Sequence, residues 1–200
     1  MADKVFAIYP HDSVHAPFIL RRMKGGKLAV MDEYGPLICK RCRKVDERAA
    51  LAQGICEEVV VRSRRPFLGS MDDHYLLDER AKQVFSALFA DQIEFFAIPH
   101  SAFCVATAKE WLLPDESNPG VRFARPRCPE CNRPGEVVWS KGPLAIGERK
   151  RFRAVNLESV QGARAIWLVT SEAAADLKKI APALTGMVLS PKQVEIVTPA

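Results

Sequence analysis

The first third of the chain carries short apolar runs bounded by turn residues, the pattern of strands. Val5-Phe6-Ala7-Ile8, inside the opening ten residues, predicts a first strand. Phe18-Ile19-Leu20 and Leu28-Ala29-Val30 predict two more, flanking Lys24-Gly25-Gly26-Lys27. A Gly-Gly pair suits the positive φ angles of a tight hairpin turn. Tyr34-Gly35-Pro36 predicts a turn into Leu37-Ile38-Cys39, and Asp46 to Cys56 a short helix ended near Gly54. Val59-Val60-Val61 is expected as a buried strand.

From His74 the pattern sharpens. His74-Tyr75-Leu76-Leu77 predicts a strand, with Asp78 as the N-cap of a helix. Ala81, Val84, Phe85, Leu88 and Phe89 follow at helical spacing and form one apolar face. Ile93 to Ile98 predicts another strand, stopped by Pro99. The same order recurs near the C-terminus. Ile166-Trp167-Leu168-Val169 precedes a Thr170-Ser171 cap, then a helix with Leu177 and Ile180 on one face, then Gly186-Met187-Val188-Leu189 before Pro191. Both stretches run strand, capped helix, strand, which makes a weak internal repeat.

Between them, Leu113 to Gly135 holds Pro114, Pro119, Pro126, Pro129 and Pro134 and is expected as a loop or linker. Lys141 to Phe152 is a second turn-rich segment. The expected fold is α+β, with antiparallel and mixed sheets and two strand–helix–strand units beside an N-terminal hairpin. Residues 1–112 would form an N-terminal half and residues 113–200 a C-terminal half, or the two would merge into one continuous domain.

Composition narrows the class. At 200 residues, 48% hydrophobic and 26% charged, the chain is globular and long enough to bury roughly 70% of its unfolded surface. Its longest apolar runs, such as Phe95 to Pro99, fall far below the roughly 20 residues of a membrane span. No signal-peptide pattern opens the sequence, so a cytoplasmic location is expected. The net charge of +5 is mild; it permits nucleic acid or an acidic partner and requires neither.

The six cysteines change the picture more. In a reducing compartment, paired thiols more often bind metal or do redox work. Cys39-Lys40-Arg41-Cys42 and Cys128-Pro129-Glu130-Cys131 are two Cys-x-x-Cys pairs, while Cys56 and Cys104 stand alone. Two such pairs supply a complete tetrahedral thiolate shell for structural Zn2+. Iron, a redox dithiol and four unremarkable thiols are the alternatives. With 85 residues between Cys42 and Cys128, the site would clasp distant parts of the fold rather than form a self-contained finger. Lys40, Arg41, Arg43, Lys44, Arg125, Arg127 and Arg133 beside the pairs complement the −2 formal charge of such a centre.

Other signals are weaker. His11 and His15 have helical ligand spacing, but Pro10 and Pro17 bracket them and no third ligand follows. His100 and Cys104 share that spacing without a third orienting group, so an inert buried thiol is the simpler expectation. Asp72-Asp73-His74 reads as a polar turn. No nucleophile-elbow, zinc-protease or dinucleotide motif occurs, and no catalytic residue is expected. Two basic runs, Arg62-Arg64-Arg65 and Arg149-Lys150-Arg151-Arg153, make nucleic-acid binding the alternative function, although no aromatic sheet motif or recognition helix accompanies them.

The cysteine pairs, the Leu76 to Pro99 unit, and Phe152-Arg153 followed by Ile166-Trp167-Leu168-Val169-Thr170 and Leu184-Thr185-Gly186-Met187 together resemble a bacterial family. Its members carry two Cys-x-x-Cys-Gly motifs and belong with the immunity-like proteins of polymorphic toxin systems. The resemblance implies a small cytoplasmic protein that binds and neutralises a cognate toxin, with no catalysis of its own. Both motif glycines are replaced here, by Arg43 and Asn132. Asn tolerates the left-handed conformation and Arg does not, so the first knuckle is expected to close differently from the second.

Overall fold

The computed structural model describes residues 3–10, 17–72, 74–112, 121–125, 127–133, 136–139, 144–147, 154–157, 166–180, 184 and 187–197. Strand β1 spans Asp3–Pro10, and β2 (Arg21–Lys24) and β3 (Lys27–Val30) form the hairpin. Gly25 and Gly26 take φ angles of 58° and 76°, the two left-handed residues that match a tight turn to the twist of its strands. The hairpin begins later than Phe18-Ile19-Leu20. Ile19 and Leu20 are buried anchors whose N–H groups donate to the Asp72 carboxylate at 2.8–3.0 Å. A 3-10 turn over Asp32–Leu37 leads to helix α1, Glu47–Gln53. Asp46 caps α1 by accepting the N–H of Ala49 at 3.0 Å, and Gly54 ends it with φ 116°.

Val59-Val60-Val61 is not a strand. Val59 is buried in the core and Val61 packs half-buried against it, but Val60 is 58% exposed, and an apolar run makes a strand only where a neighbour offers a ladder. The strand here is instead β4, Phe67–Gly69, followed by β5 (Tyr75–Asp78), α2 (Glu79–Phe89), β6 (Ile93–Ala97) and β7 (Phe103–Ala108). Asp78 caps α2 through the Ala81 N–H at 2.8 Å. These strands form a sheet in the order β4-β5-β7-β6. Since β7 is antiparallel to both β5 and β6, the ends of the first strand–helix–strand unit run parallel with a strand between them.

Next come β8 (Trp111–Leu112), β9 (Val121–Arg125), β10 (Glu136–Trp139), β11 (Leu144–Gly147), β12 (Ala154–Leu157), β13 (Ile166–Thr170), α3 (Ser171–Ile180) and β14 (Met187–Val197). The expected linker between Leu113 and Gly135 therefore contains β9, which pairs with β10, and the Lys141 to Phe152 segment contains β11. Apart from residues 127–133, the rest of both segments lies outside the described residues. Thr170 Oγ1 caps α3 through the Ala173 N–H at 3.3 Å. The second sheet has the order β11-β14-β1-β13-β12-β8. Strand β1 lies antiparallel between β13 and β14, so the second unit repeats the split arrangement of the first. Strand β14 runs on through Pro191 to Val197, beyond the expected run of Gly186 to Leu189. Among the described residues, pairing with β11 starts at Val194, so Pro191, which has no N–H, is accommodated where no described ladder lies on that side.

The four-stranded sheet is buried on both faces. Phe67, Tyr75, Leu77, Cys104 and Ala106 join one cluster with Ile8, Trp167, Val169 and the inner faces of α2 and α3. Leu68, Leu76, Phe103 and Val105 alternate with them and join a second cluster with Ile19, Leu20, Tyr34, Val45, Ala50 and Leu51. Tyr75 couples the two sheets: its hydroxyl donates to the Ile8 carbonyl at 2.8 Å and accepts the Trp167 N–H at 3.2 Å. The six-stranded sheet takes β1 and β8 from residues 1–112 and its other strands from residues 113–200. The fold is α+β, with four cysteines gathered at one place. Among the described residues, no helix is long and apolar enough to cross a membrane.

Candidate metal centre

The first Cys-x-x-Cys pair sits between Ile38 and Val45, which form an isolated antiparallel bridge. The second sits between β9 and β10. Each is thus the tip of an antiparallel turn, and the two tips share one hydrogen-bond plan. The Cys39 N–H donates to the Lys44 carbonyl at 3.0 Å and the Arg43 N–H to the Cys39 carbonyl at 2.9 Å. Likewise the Cys128 N–H donates to Arg133 at 2.9 Å and the Asn132 N–H to Cys128 at 2.8 Å.

Such a turn closes only with a left-handed residue after the second cysteine. Arg43 has φ 62° and Asn132 φ 55°. The expectation that Arg43 would close the first knuckle differently is therefore wrong. The bonds of the turn and the surrounding bridge hold Arg43 in a conformation that costs a non-glycine residue roughly 1–2 kcal/mol.

The tips meet face to face. Cys39 Sγ lies 3.8 Å from Cys128 Sγ, Cys42 Sγ lies 3.5 Å from Cys131 Sγ, and all four sulfurs fall within 4.8 Å of one another. A disulfide needs about 2.0 Å, so these are four free thiols. A tetrahedral metal with bonds of about 2.3 Å to sulfur sets its ligands about 3.8 Å apart, and this donor set fits that shell. Cys128 is buried at 6% exposure, while Cys39, Cys42 and Cys131 are half-buried.

The backbone N–H groups of Cys131 and Glu130 point at Cys128 and lower its pKa to about 6. Desolvation instead pushes Cys131 up to about 12, aided by hydrogen bonds to the neighbouring thiols. The two directions describe one set of sulfurs. The first thiolate meets donors, each later one meets the charge already present, and a cation removes that repulsion.

Around the sulfurs, Arg133 locks the second tip to the first. It donates to the Lys44 carbonyl and to Asp46 Oδ2, both at 2.8 Å. Asp46 thereby serves the α1 cap and this ion pair together. Arg127 donates to the Asn132 carbonyl at 3.0 Å, and Cys39 Sγ contacts Glu130 Oε2 at 3.7 Å. Arg133 and Lys44 stood in the sequence only as part of a charge cluster. Their matching position, five residues after Cys39 and Cys128, was the available signal; the role of Asp46 and Glu130 in the centre had none.

The remaining candidates are dispersed. His100 is exposed with φ 54°, while Cys104 is buried, donates to the Leu77 carbonyl at 3.5 Å, and is pushed up to about 11 by burial. Asp72, 2% exposed, also accepts from Ser70 Oγ at 2.8 Å and holds the Ile19–Leu20 segment against β4 and β5. Arg62, Arg64 and Arg65 are exposed. His11, His15, Asp73, Arg149, Lys150, Arg151 and Arg153 lie outside the described residues. No family model, curated protein or solved structure matches this chain.

Proposed function

We propose that this chain is a non-catalytic zinc protein whose business is binding another protein, of the immunity type that neutralises a cognate toxin in the cytoplasm. The observation that carries the reading is the pair of equivalent knuckles. Cys39, Cys42, Cys128 and Cys131 supply four thiolate positions from the protein, which leaves none for water or substrate on a four-coordinate Zn2+. Such a centre holds a fold together instead of performing hydrolysis. Left-handed residues stand where the double Cys-x-x-Cys-Gly plan places glycine, and this supports the resemblance on which the immunity reading rests. Chelator-free protein should contain one zinc per chain and form a one-to-one complex with the product of a neighbouring gene. Absence of any such complex counts against the immunity reading even where zinc is present.

A second reading, nucleic-acid binding, draws on the exposed Lys40, Arg41 and Arg43 at the first tip and on exposed Arg62, Arg64 and Arg65. It requires an affinity that falls steeply with salt. No binding to RNA or DNA at low salt removes it.

A further inference from the structure

The second knuckle is also the turn of the β9–β10 hairpin: β9 ends at Arg125, the turn runs over Cys128 to Arg133, and β10 begins at Glu136. Among the described residues these two strands pair only with each other. Neither hydrophobic cluster takes a described side chain from residues 127–133. Among the described contacts, the tip reaches the rest of the molecule through Cys128 and Glu130 to Cys39, Cys131 to Cys42, and Arg133 to Lys44 and Asp46. All of these contacts land on the first knuckle or on the α1 cap behind it. The first knuckle is held differently, by the Ile38–Val45 bridge and by Val45 in the second cluster. By its own backbone pairing, a two-stranded hairpin is marginal in water.

We propose that the metal acts as a removable pin for the β9–β10 hairpin. Loaded, the centre docks the hairpin on the first knuckle; stripped, it releases residues 121–139 while both sheets of the core stay folded. This rests on the metal reading above and gives the centre a regulatory use, in which a thiophilic divalent cation sets the position of one arm. Of the described contacts between the tip and the first knuckle, the thiol contacts and the partly exposed Arg133 bonds remain without the cation, and these are weak holds.

The test is amide hydrogen exchange on zinc-loaded protein and on the same protein after chelation, with zinc content measured in both. Protection across 121–139 should fall by about tenfold or more on stripping, while β5 and β13 keep theirs. Cys131→Ser, without chelator, should reproduce the stripped pattern. Unchanged protection of 121–139 after verified zinc loss overturns the pin. Loss of protection in β5 and β13 as well overturns it too, because the metal would then hold the whole fold. Protein that takes up no zinc overturns the metal reading itself, and the pin with it, which the zinc measurement distinguishes from failure of the arm alone.

Discussion

The two knuckles have the same backbone plan and different foundations. The first rises from a bridge whose Val45 is buried in the second cluster, next to a capped helix whose Ala50 and Leu51 lie in that cluster. The second is the turn of a hairpin whose strands pair only with each other among the described residues. Half of the candidate metal shell thus rises from a segment anchored in the core, and half from a hairpin whose described pairing is only with itself. Comparable turns can thus carry unequal shares of the stability of one site, because a turn inherits its rigidity from what lies beneath it.

The strongest way to break the comparison is to remove one sulfur from either side. Cys39→Ser and Cys128→Ser should each abolish zinc binding, since a shared shell has no spare ligand. Structural zinc contributes roughly 10–16 kcal/mol in small zinc peptides, so metal analysis should read near zero for both variants. Metal retained in one variant would show that the knuckles do not share an ion.

Proton competition gives the next effect. The Cys128 thiol, lowered to about 6 by N–H donors, is thiolate above that pH and is protonated as pH falls through it. Ultraviolet thiolate absorbance of the stripped protein should rise in a first step near pH 6. Cys128→Ser should remove the step and Cys131→Ser, whose thiol is pushed up to about 12, should leave it. A step that survives Cys128→Ser assigns the first thiolate elsewhere.

Asp46 and Arg133 sharpen the difference in foundations. Asp46→Ala removes both the α1 cap and the Arg133 partner and should cost about 1–2 kcal/mol in denaturant unfolding of the loaded protein. Arg133→Ala leaves the cap and should cost about 1 kcal/mol or less, since its ion pair is partly exposed. Equal costs would mean that Arg133, rather than the cap, carries the stability of the junction.

The smallest effect compares the two left-handed residues. Arg43→Gly should stabilise by about 0.5–1 kcal/mol, after allowing for the greater freedom of unfolded glycine, and Asn132→Gly by a few tenths. The reverse order in thermal unfolding would locate the strain in the second turn.

Several parts of this molecule were legible locally. The Gly25-Gly26 turn, the caps at Asp78 and Thr170, the apolar face of α2 and the Cys-x-x-Cys pairs all depend on residues a few positions apart. Dihedral preference and hydrogen-bond reach act over that range, so residue type and spacing suffice. The run Val59 to Val61 misled for the complementary reason. Hydrophobicity records a tendency to be buried or paired, and whether a neighbour offers a ladder is settled elsewhere in the chain.

Residue type and spacing thus set which short elements form and which four sulfurs are equipped to share an ion. They left open that β1 is inserted between β13 and β14, that β4 completes a sheet buried on both faces, and that two tips 89 positions apart meet. Those outcomes are fixed by strand register and by the burial of surfaces distant along the chain. Those contacts join residues that no local window holds together, and the folded molecule alone brings them into reach.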